Sequence, residues 1–266
     1  MDVRSLGYRT DLMIRALEGS RIADRGSYLV VRSPASPDYW WGNFLLFARP
    51  PQRGEGARWL AAFSAEFPGA RHVALGIDVT EVSAVDVNEL TRAGLTMDRT
   101  AVLTAQRVQE PSRPNRSAEV RLLAGDRDWA QAAELMTAVN LGTPGGDAGF
   151  VRTRIAAERS LTDDGHAIWF GALDDGRLVS SLGLVTDGSG IARYQNVETH
   201  PDARRQGLAS TLVWHAASYA LDTLGVSTLV MLADPRAAAI RIYRALGFAD
   251  AETQVGFERP PGSASG

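Results

Sequence analysis

Arg204, Arg205 and Gly207 stand together where a strand pattern turns into a long helical pattern, in the stretch 196–210 (NVETHPDARRQGLAS). Residue types in this order suit the holding of an anion. The first turn of a helix presents N–H groups that have no intrahelical partner, with the positive end of the helix dipole behind them. Gly207 lets the backbone come close to a phosphate, and the two arginines supply charge. A pyrophosphate fits such a turn. The competing reading is a strand-to-helix turn whose glycine serves geometry alone.

The elements around this turn follow from apolar periodicity and turn signals. A strand is expected over 119–123, then a helix that Asp126 caps and whose apolar positions are Trp129, Ala132, Ala133, Met136 and Val139. A second helix covers 147–160. Two apolar runs, 166–173 and 178–185, are joined by Asp174, Asp175 and Gly176, a hairpin signal. A strand over 191–199 leads into the turn, and Leu208, Leu212, Ala216, Tyr219, Ala220 and Leu224 form one face of the next helix, which Gly225 closes. A strand over 228–232, a helix over 236–246 ended by Gly247, and a strand over 254–258 complete the order β-α-α-β-β-β-α-β-α-β. The first half repeats part of this order, with strands at 28–32, 43–48, 72–77 and 100–104 and helices at 57–67 and 87–93. The stretch 107–118 (RVQEPSRPNRSA) has two prolines and no apolar period, which is how a linker reads. The domains are therefore expected at 1–107 and 119–259, joined by a linker over 108–118 and followed by a disordered tail at 260–266.

Composition removes several chemistries. With 45% hydrophobic and 22% charged residues the chain reads as globular. Cysteine is absent, so disulfides, thiolate nucleophiles and Cys-ligated zinc are excluded. All 28 basic residues are arginine, which also excludes a Schiff-base lysine and a P-loop lysine. A net charge of −3 gives no global field for nucleic acid. No run reaches membrane-span length and the first residues lack an apolar signal core, so a cytoplasmic location without nucleic-acid or membrane partners is expected.

Two linked motifs resemble those of the GCN5-related N-acetyltransferases (GNAT). Arg204-x-x-Gly207-x-Ala209 is similar to their Q/R-x-x-G-x-G/A signature, and 238–248 (AAIRIYRALGF) to their A-I-x-L-Y-x-x-x-G-F helix. The resemblance covers 119–259 and agrees with the order of elements. It implies a mixed-sheet α/β GNAT fold, acetyl-CoA as cosubstrate and no metal. It further implies that the backbone of Val197, Glu198 and Thr199, on a strand splayed from its neighbour, pairs with the pantetheine and polarises the thioester carbonyl. Arg204, Arg205, Gln206, Gly207, Leu208, Ala209 and Ser210 would hold the pyrophosphate. Tyr243 matches the tyrosine that protonates the departing thiolate. A phenol of pKa near ~10 is a reasonable donor to a thiolate whose acid has pKa near ~8.5, although a packed aromatic is the competing reading.

The base is less determined. Glu198 is the carboxylate nearest in sequence to the implied acetyl position, and strand alternation puts it on the face opposite Val197 and Thr199. Asp234 is the second candidate, while His200 and His166 read as turn or surface residues. Arg236 replaces the asparagine usual seven residues before the tyrosine and is still expected to reach CoA, and Met231 stands where some ribosomal-protein acetyltransferases carry a glutamate base.

The first half has a corresponding turn, 49–58 (RPPQRGEGAR), in which Glu55 puts negative charge where phosphate would sit and Pro50 and Pro51 remove two N–H donors. No tyrosine helix ending in Gly-Phe follows. The chain thus reads as two tandem GNAT-like domains with a degenerate N-terminal copy, an organisation also seen in mycothiol synthases. Tyr39, Trp40, Trp41, Asn43 and Phe44 either line a substrate cleft or pack a strand. The expected activity is acetyl transfer from acetyl-CoA to a primary amine of a small molecule or peptide, by direct attack in a ternary complex, in a monomer or homodimer. An acyl-CoA-binding sensor without turnover is the alternative, and a scaffold is a third.

Overall fold

The computed structural model describes residues 1–37, 39–81, 88–143 and 146–262. Position 87 of the expected helix 87–93, and 263–266 of the expected tail, lie outside them. The chain divides into two compact units. One comprises Met1–Val102, Leu232–Pro235 and Asp250–Gly266; the other comprises Leu103–Met231 and Arg236–Ala249.

The first unit contains helices α1 (Leu6–Leu17), α2 (Gly56–Glu66) and α3 (Asn88–Arg92), with strands β1 (Arg21–Asp24), β2 (Tyr28–Arg32), β3 (Phe44–Phe47), β4 (Val73–Ile77) and most of β5 (Thr96–Ala105). The runs LVV, FLLF and VALGI are buried throughout, as strands covered on both faces must be. On one face Phe47 stacks on Trp59 of α2, with centroids 3.7 Å apart and planes 2° from parallel. On the other, α1 lays Tyr8 across Gly76, where a Cβ would stand 2.6 Å from the phenol oxygen. That helix and β1 have no counterpart in the expected order. Two expectations need correction at the other end of the chain. The final strand is β11 (Ala249–Arg259), longer than 254–258, and it pairs antiparallel with β4, so the second domain does not extend to 259. Its partner lies far away in sequence, where no local pattern can reveal it.

The second unit holds β6 (Glu119–Leu122), α4 (Gly125–Val139), α5 (Ala148–Asp163), β7 (Ala167–Asp174), β8 (Arg177–Val185), β9 (Ile191–Thr199), α6 (Leu208–Thr223), most of β10 (Thr228–Ala233) and α7 (Ala239–Ala245). Its strand order is β10-β9-β8-β7-β6. The β7–β8 hairpin turns at Asp175 and Gly176, both at positive φ (48° and 76°), the backbone of a tight hairpin. Asp147 caps α5 by accepting from the N–H groups of Gly149 and Phe150. Asp126 does not cap α4: Ala124 holds the cap position and Asp126 falls within the first turn. The last helix starts at Ala239, not at 236, after a turn that Pro235 and Arg236 occupy. Helices α4 and α5 cover one face of the sheet, where Trp129 meets Trp169. Helix α6 covers the other, where Tyr219 meets Phe170.

Strand β9 departs from regularity in two places. Gln195 pairs with Gly183 and Glu198 with Ser181, so β9 carries one more residue than β8 between these points, and Asn196 there adopts φ 45°. This is a β-bulge. In addition, β10 pairs with β9 only from Ile191 to Arg193, while β9 runs on to Thr199. Beyond Arg193 that edge of β9 has no pairing to β10 among the described residues.

Candidate active site

Past β9 the chain makes a 3-10 turn at Pro201–Ala203 and enters α6 through Arg204, Arg205, Gln206 and Gly207. Arg205 (φ 65°) and Gly207 (φ 78°) lie in the left-handed region with Gln206 outside it, an alternation that turns successive N–H groups toward one side. The N–H groups of Leu208, Ala209 and Ser210 belong to the first turn of a helix of 16 residues and have no intrahelical acceptor. Among the described residues no carboxylate takes them. Arg204, Arg205 and Gln206 are exposed. The donor set therefore suits a pyrophosphate: N–H groups converging at a helix start, with arginine charge beside them.

The glycine at 207 also has a packing reason. A Cβ at Gly207 would stand 2.6 Å from the Arg113 carbonyl oxygen, so its missing side chain makes room for the irregular segment 106–118. Asn115 fixes that segment, its Nδ2 donating to Gln206 O (3.0 Å) and its N–H to Thr211 Oγ1 (2.8 Å). Gln109 fixes it further along, donating from its backbone to Leu246 O (3.0 Å) and from its side chain to Ala245 O (2.7 Å). The segment with the composition of a linker is laced to the helix entrance.

Glu198 emerges on the α4/α5 face. Tyr194 points to α6, its hydroxyl donating to Val213 O (2.9 Å), so Gln195 faces α5, where Arg154 donates to its Oε1 (3.3 Å). The bulge keeps Asn196 on that same face, and alternation resumes with Glu198 there too, its Oε1 3.3 Å from Asn140 Nδ2 at the end of α4. Val197 and Thr199 face the other way, as alternation predicts. Burial pushes the Glu198 carboxyl up to about 7, against the opposing pull of Asn140 and Arg154.

A second carboxylate, to which neither motif points, lies beside it. Glu158 of α5 is 1% exposed, and its Oε1 accepts from Asn196 Nδ2 (2.5 Å) and Arg154 Nε (3.1 Å). Burial raises it to about 7, Arg154 opposes, and the Glu198 charge adds to the rise. The sequence did carry a signal: Val151, Arg154, Glu158 and Leu161 fall on one helical stripe, and both apolar members are buried.

Tyr243 lies on the opposite side of the sheet, on α7, with its ring and that of Tyr194 against Phe248. It is buried, and desolvation pushes its phenol up to about 12, so it stays protonated at neutral pH. The histidines behave as turn residues: His200 sits 3.0 Å from Arg177 and takes the Asp202 N–H, and His166 lies in the bend before β7. Arg236 is exposed in the turn before α7, and Asp234 falls in the first unit. Met231 is buried in β10.

The first unit contrasts sharply at its own turn into a helix. Glu89 accepts from Gly54 N–H (2.5 Å) and Gly56 N–H (3.0 Å), while Glu55 accepts from Gln52 N–H and pairs with Arg49. The indoles of Trp40 and Trp41 both donate to Glu258 Oε2 (3.0 and 2.6 Å), and Trp41 covers Gly256. Asn43 is buried, taking the Ser33 N–H and donating to the carbonyls of Ser36 and Tyr39. These aromatics pack the sheet.

Residues 140–248 match the model of the acetyltransferase (GNAT) family. No curated protein matches the sequence. Solved structures share the fold over nearly the whole chain. A GCN5-related N-acetyltransferase from Kribbella flavida is 18% identical, with a TM-score of 0.64 and 97% of each chain covered. A conserved protein of unknown function from Staphylococcus epidermidis is 14% identical, with a TM-score of 0.72, over 91% of this chain and 94% of its own. A tandem GNAT protein from the clavulanic acid biosynthesis pathway is 15% identical, with a TM-score of 0.58, over 94% and 88%. The fold is the mixed α/β fold of the GNAT proteins.

Proposed function

We propose that the second unit transfers an acetyl group from acetyl-CoA to a primary amine by direct attack in a ternary complex. The observation that carries this reading is the set of free N–H groups at the start of α6, next to the unpaired edge of β9, within the stretch that matches the acetyltransferase family. The turn from Arg204 to Ser210 supplies backbone donors and arginine charge for a pyrophosphate. The edge of β9 that β10 leaves beyond Arg193 supplies backbone partners for an extended amide-bearing arm along Val197, Glu198 and Thr199, although Glu198 O already accepts from Ser180 Oγ and Thr199 O from Arg204 Nε; Arg236 is assigned as a further CoA contact.

Acetyl-CoA supplies the thioester carbon to which the amine nitrogen adds. An amine must lose a proton to become the product amide, and Glu198 Oε1 or Oε2 accepts it, directly or through water. A carboxyl near 7 is better matched to this work at neutral pH than one in the ordinary range. Tyr243 Oη holds its proton and gives it to the sulfur as the thiolate departs. With no cysteine in the chain, a Cys-linked acyl-enzyme cannot form. The degenerate first turn, occupied by Glu89 and Glu55, favours one cofactor site per chain, with the first unit as a copy that no longer binds acetyl-CoA.

The test is free-thiol release from acetyl-CoA by purified protein across a panel of primary amines. Glu198→Gln should lower kcat/KM for any accepted amine by roughly 10²–10⁴-fold, and Tyr243→Phe should lower kcat by at least ~10-fold, both with acetyl-CoA affinity retained. Turnover within about twofold of wild type would refute the assigned role. Tight binding of acetyl-CoA without thiol release for any amine would favour an acyl-CoA sensor.

A further inference from the structure

We infer that Arg154 and Glu158 of α5 form a clamp that holds the β9 bulge and thereby decides on which face of the sheet Glu198 emerges; they are positioning residues for the reading of Glu198 as base, on which this inference rests. The two side chains stand one helical turn apart and engage two consecutive residues of β9. Arg154 donates to Gln195 Oε1 (3.3 Å), and Glu158 accepts from Asn196 Nδ2 (2.5 Å), while Arg154 Nε joins them at Glu158 Oε1 (3.1 Å). Consecutive residues of a regular strand point to opposite faces. Tying Gln195 and Asn196 to one helix is possible only where the strand is broken by an extra residue.

Asn196 shows the cost of that break. Its φ of 45° is uncommon for a residue other than glycine, and such backbone persists where its surroundings hold it. The holding groups are buried: Glu158 is 1% exposed and the Arg154 side chain 13%. Without the bulge, Ser181 would pair with Val197 in place of Glu198, and every side chain from Val197 to Thr199 would change face. Val197 would then lie against α4 and α5, and the carboxylate would lie on the α6 side. The groups that face Glu198 from the elements packed there are Asn140 of the α4 end and Arg154 and Glu158 of α5.

The measurement is the titration of the Glu198 carboxyl carbon, followed by carbon-13 NMR on uniformly glutamate-labelled full-length protein and assigned with Glu198→Gln. Wild type should titrate near pH 7. Glu158→Ala should move that midpoint down by at least about one pH unit, toward the ordinary carboxylate range near ~4.3. Glu158→Gln keeps an oxygen for Asn196 and Arg154 and should leave the midpoint within about half a unit. If alanine and glutamine variants shift it equally, the effect is one of charge and the clamp is refuted; if neither shifts it, the clamp is refuted as well. Should Glu158→Ala fail to fold, Asn196→Ala cuts the same contact from the strand side and decides by the same criterion, while Asn196→Gly, at ease with positive φ, should preserve the wild-type midpoint. Retained thiol release in Glu198→Gln would sink the base reading and leave the clamp standing; lost release there with an unmoved midpoint in Glu158→Ala would do the reverse.

Discussion

The two units treat their carboxylates in opposite ways. In the first, Glu55 and Glu66 sit half-buried among arginines and N–H donors: hydrogen bonds from Arg49 hold Glu55, and those from Arg25 and Arg32 hold Glu66, both down at about 2. In the second, Glu158 and Glu198 are withdrawn from water and pushed up to about 7. Carboxylates held by several donors serve as structure, because their charge never changes near neutrality. A carboxylate raised by burial changes charge near neutrality. The strand-to-helix turns differ in the same sense. The first turn has filled its N–H groups with its own Glu89, whereas those of Leu208, Ala209 and Ser210 at the second have no acceptor among the described residues.

The largest expected consequence is in stability against pH. Glu158 binds its proton more tightly folded than unfolded, so its contribution is fully present below about pH 4.5 and is lost as pH rises through about 7. Glu55 and Glu66 bind theirs less tightly when folded, so their contribution is present above about pH 4.5 and is lost as pH falls toward 2. The denaturation midpoint should therefore decline on both sides of mildly acid pH, for reasons that sit in different units. Glu158→Gln should make the upper limb shallower, by on the order of 2 kcal/mol between pH 5 and 8, with the part that Glu198 contributes remaining, and leave the lower limb intact. Urea titrations across that range check this; an unchanged upper limb would show that Glu158 is already ionised without cost.

Second in size is the effect of giving the second turn the charge of the first. Gly207 is a poor place to do so, because a side chain there would strike the Arg113 carbonyl and dislodge the segment 106–118. Arg205 is exposed at the same turn and already at positive φ. Arg205→Glu should weaken acetyl-CoA binding by roughly tenfold or more, about 1.4 kcal/mol, with thermal stability in the absence of ligand unchanged. Calorimetric titration gives the affinity. An affinity within about twofold of wild type would remove Arg205 from the anion site.

Legibility in the sequence tracks the reach of each interaction. The β7–β8 hairpin was legible because Asp174, Asp175 and Gly176 specify the turn locally, and β9 with the entrance to α6 was legible because strand, turn and helix are contiguous. Helix α1 was not, because its buried face includes Gly7, Thr10 and Arg15 and so lacks an apolar stripe. The home of β11 was not, because β4 reaches it only through the fold. Of the candidate site, the arginines of the turn and Tyr243 were expected from the motifs, and Glu198 from its nearness in sequence to the implied acetyl position. The face on which Glu198 emerges depends on the bulge at Asn196, and that bulge depends on Glu158 of the helix packed against it. The lacing of Asn115 to Gln206 was hidden for the same reason, since a proline-containing irregular stretch looks alike whether it hangs free or packs.

The smallest expected effect probes the first turn. Glu89→Ala frees the exposed N–H group of Gly54 and the part-buried one of Gly56, and the shortened side chain lets water reach them, so the cost should be about 1 kcal/mol in all. If Glu89 alone kept ligand out, this variant would bind a second acetyl-CoA per chain. It should not. Pro50 and Pro51 still lack N–H groups, Glu55 still holds the Gln52 N–H, and its charge, kept by Arg49 near neutral pH, still repels phosphate. Stoichiometry from calorimetry should therefore stay at one acetyl-CoA per chain while the urea midpoint falls slightly. A second equivalent bound by Glu89→Ala would mean that the two turns differ by a single side chain, and that the first unit is a closed site, not a lost one.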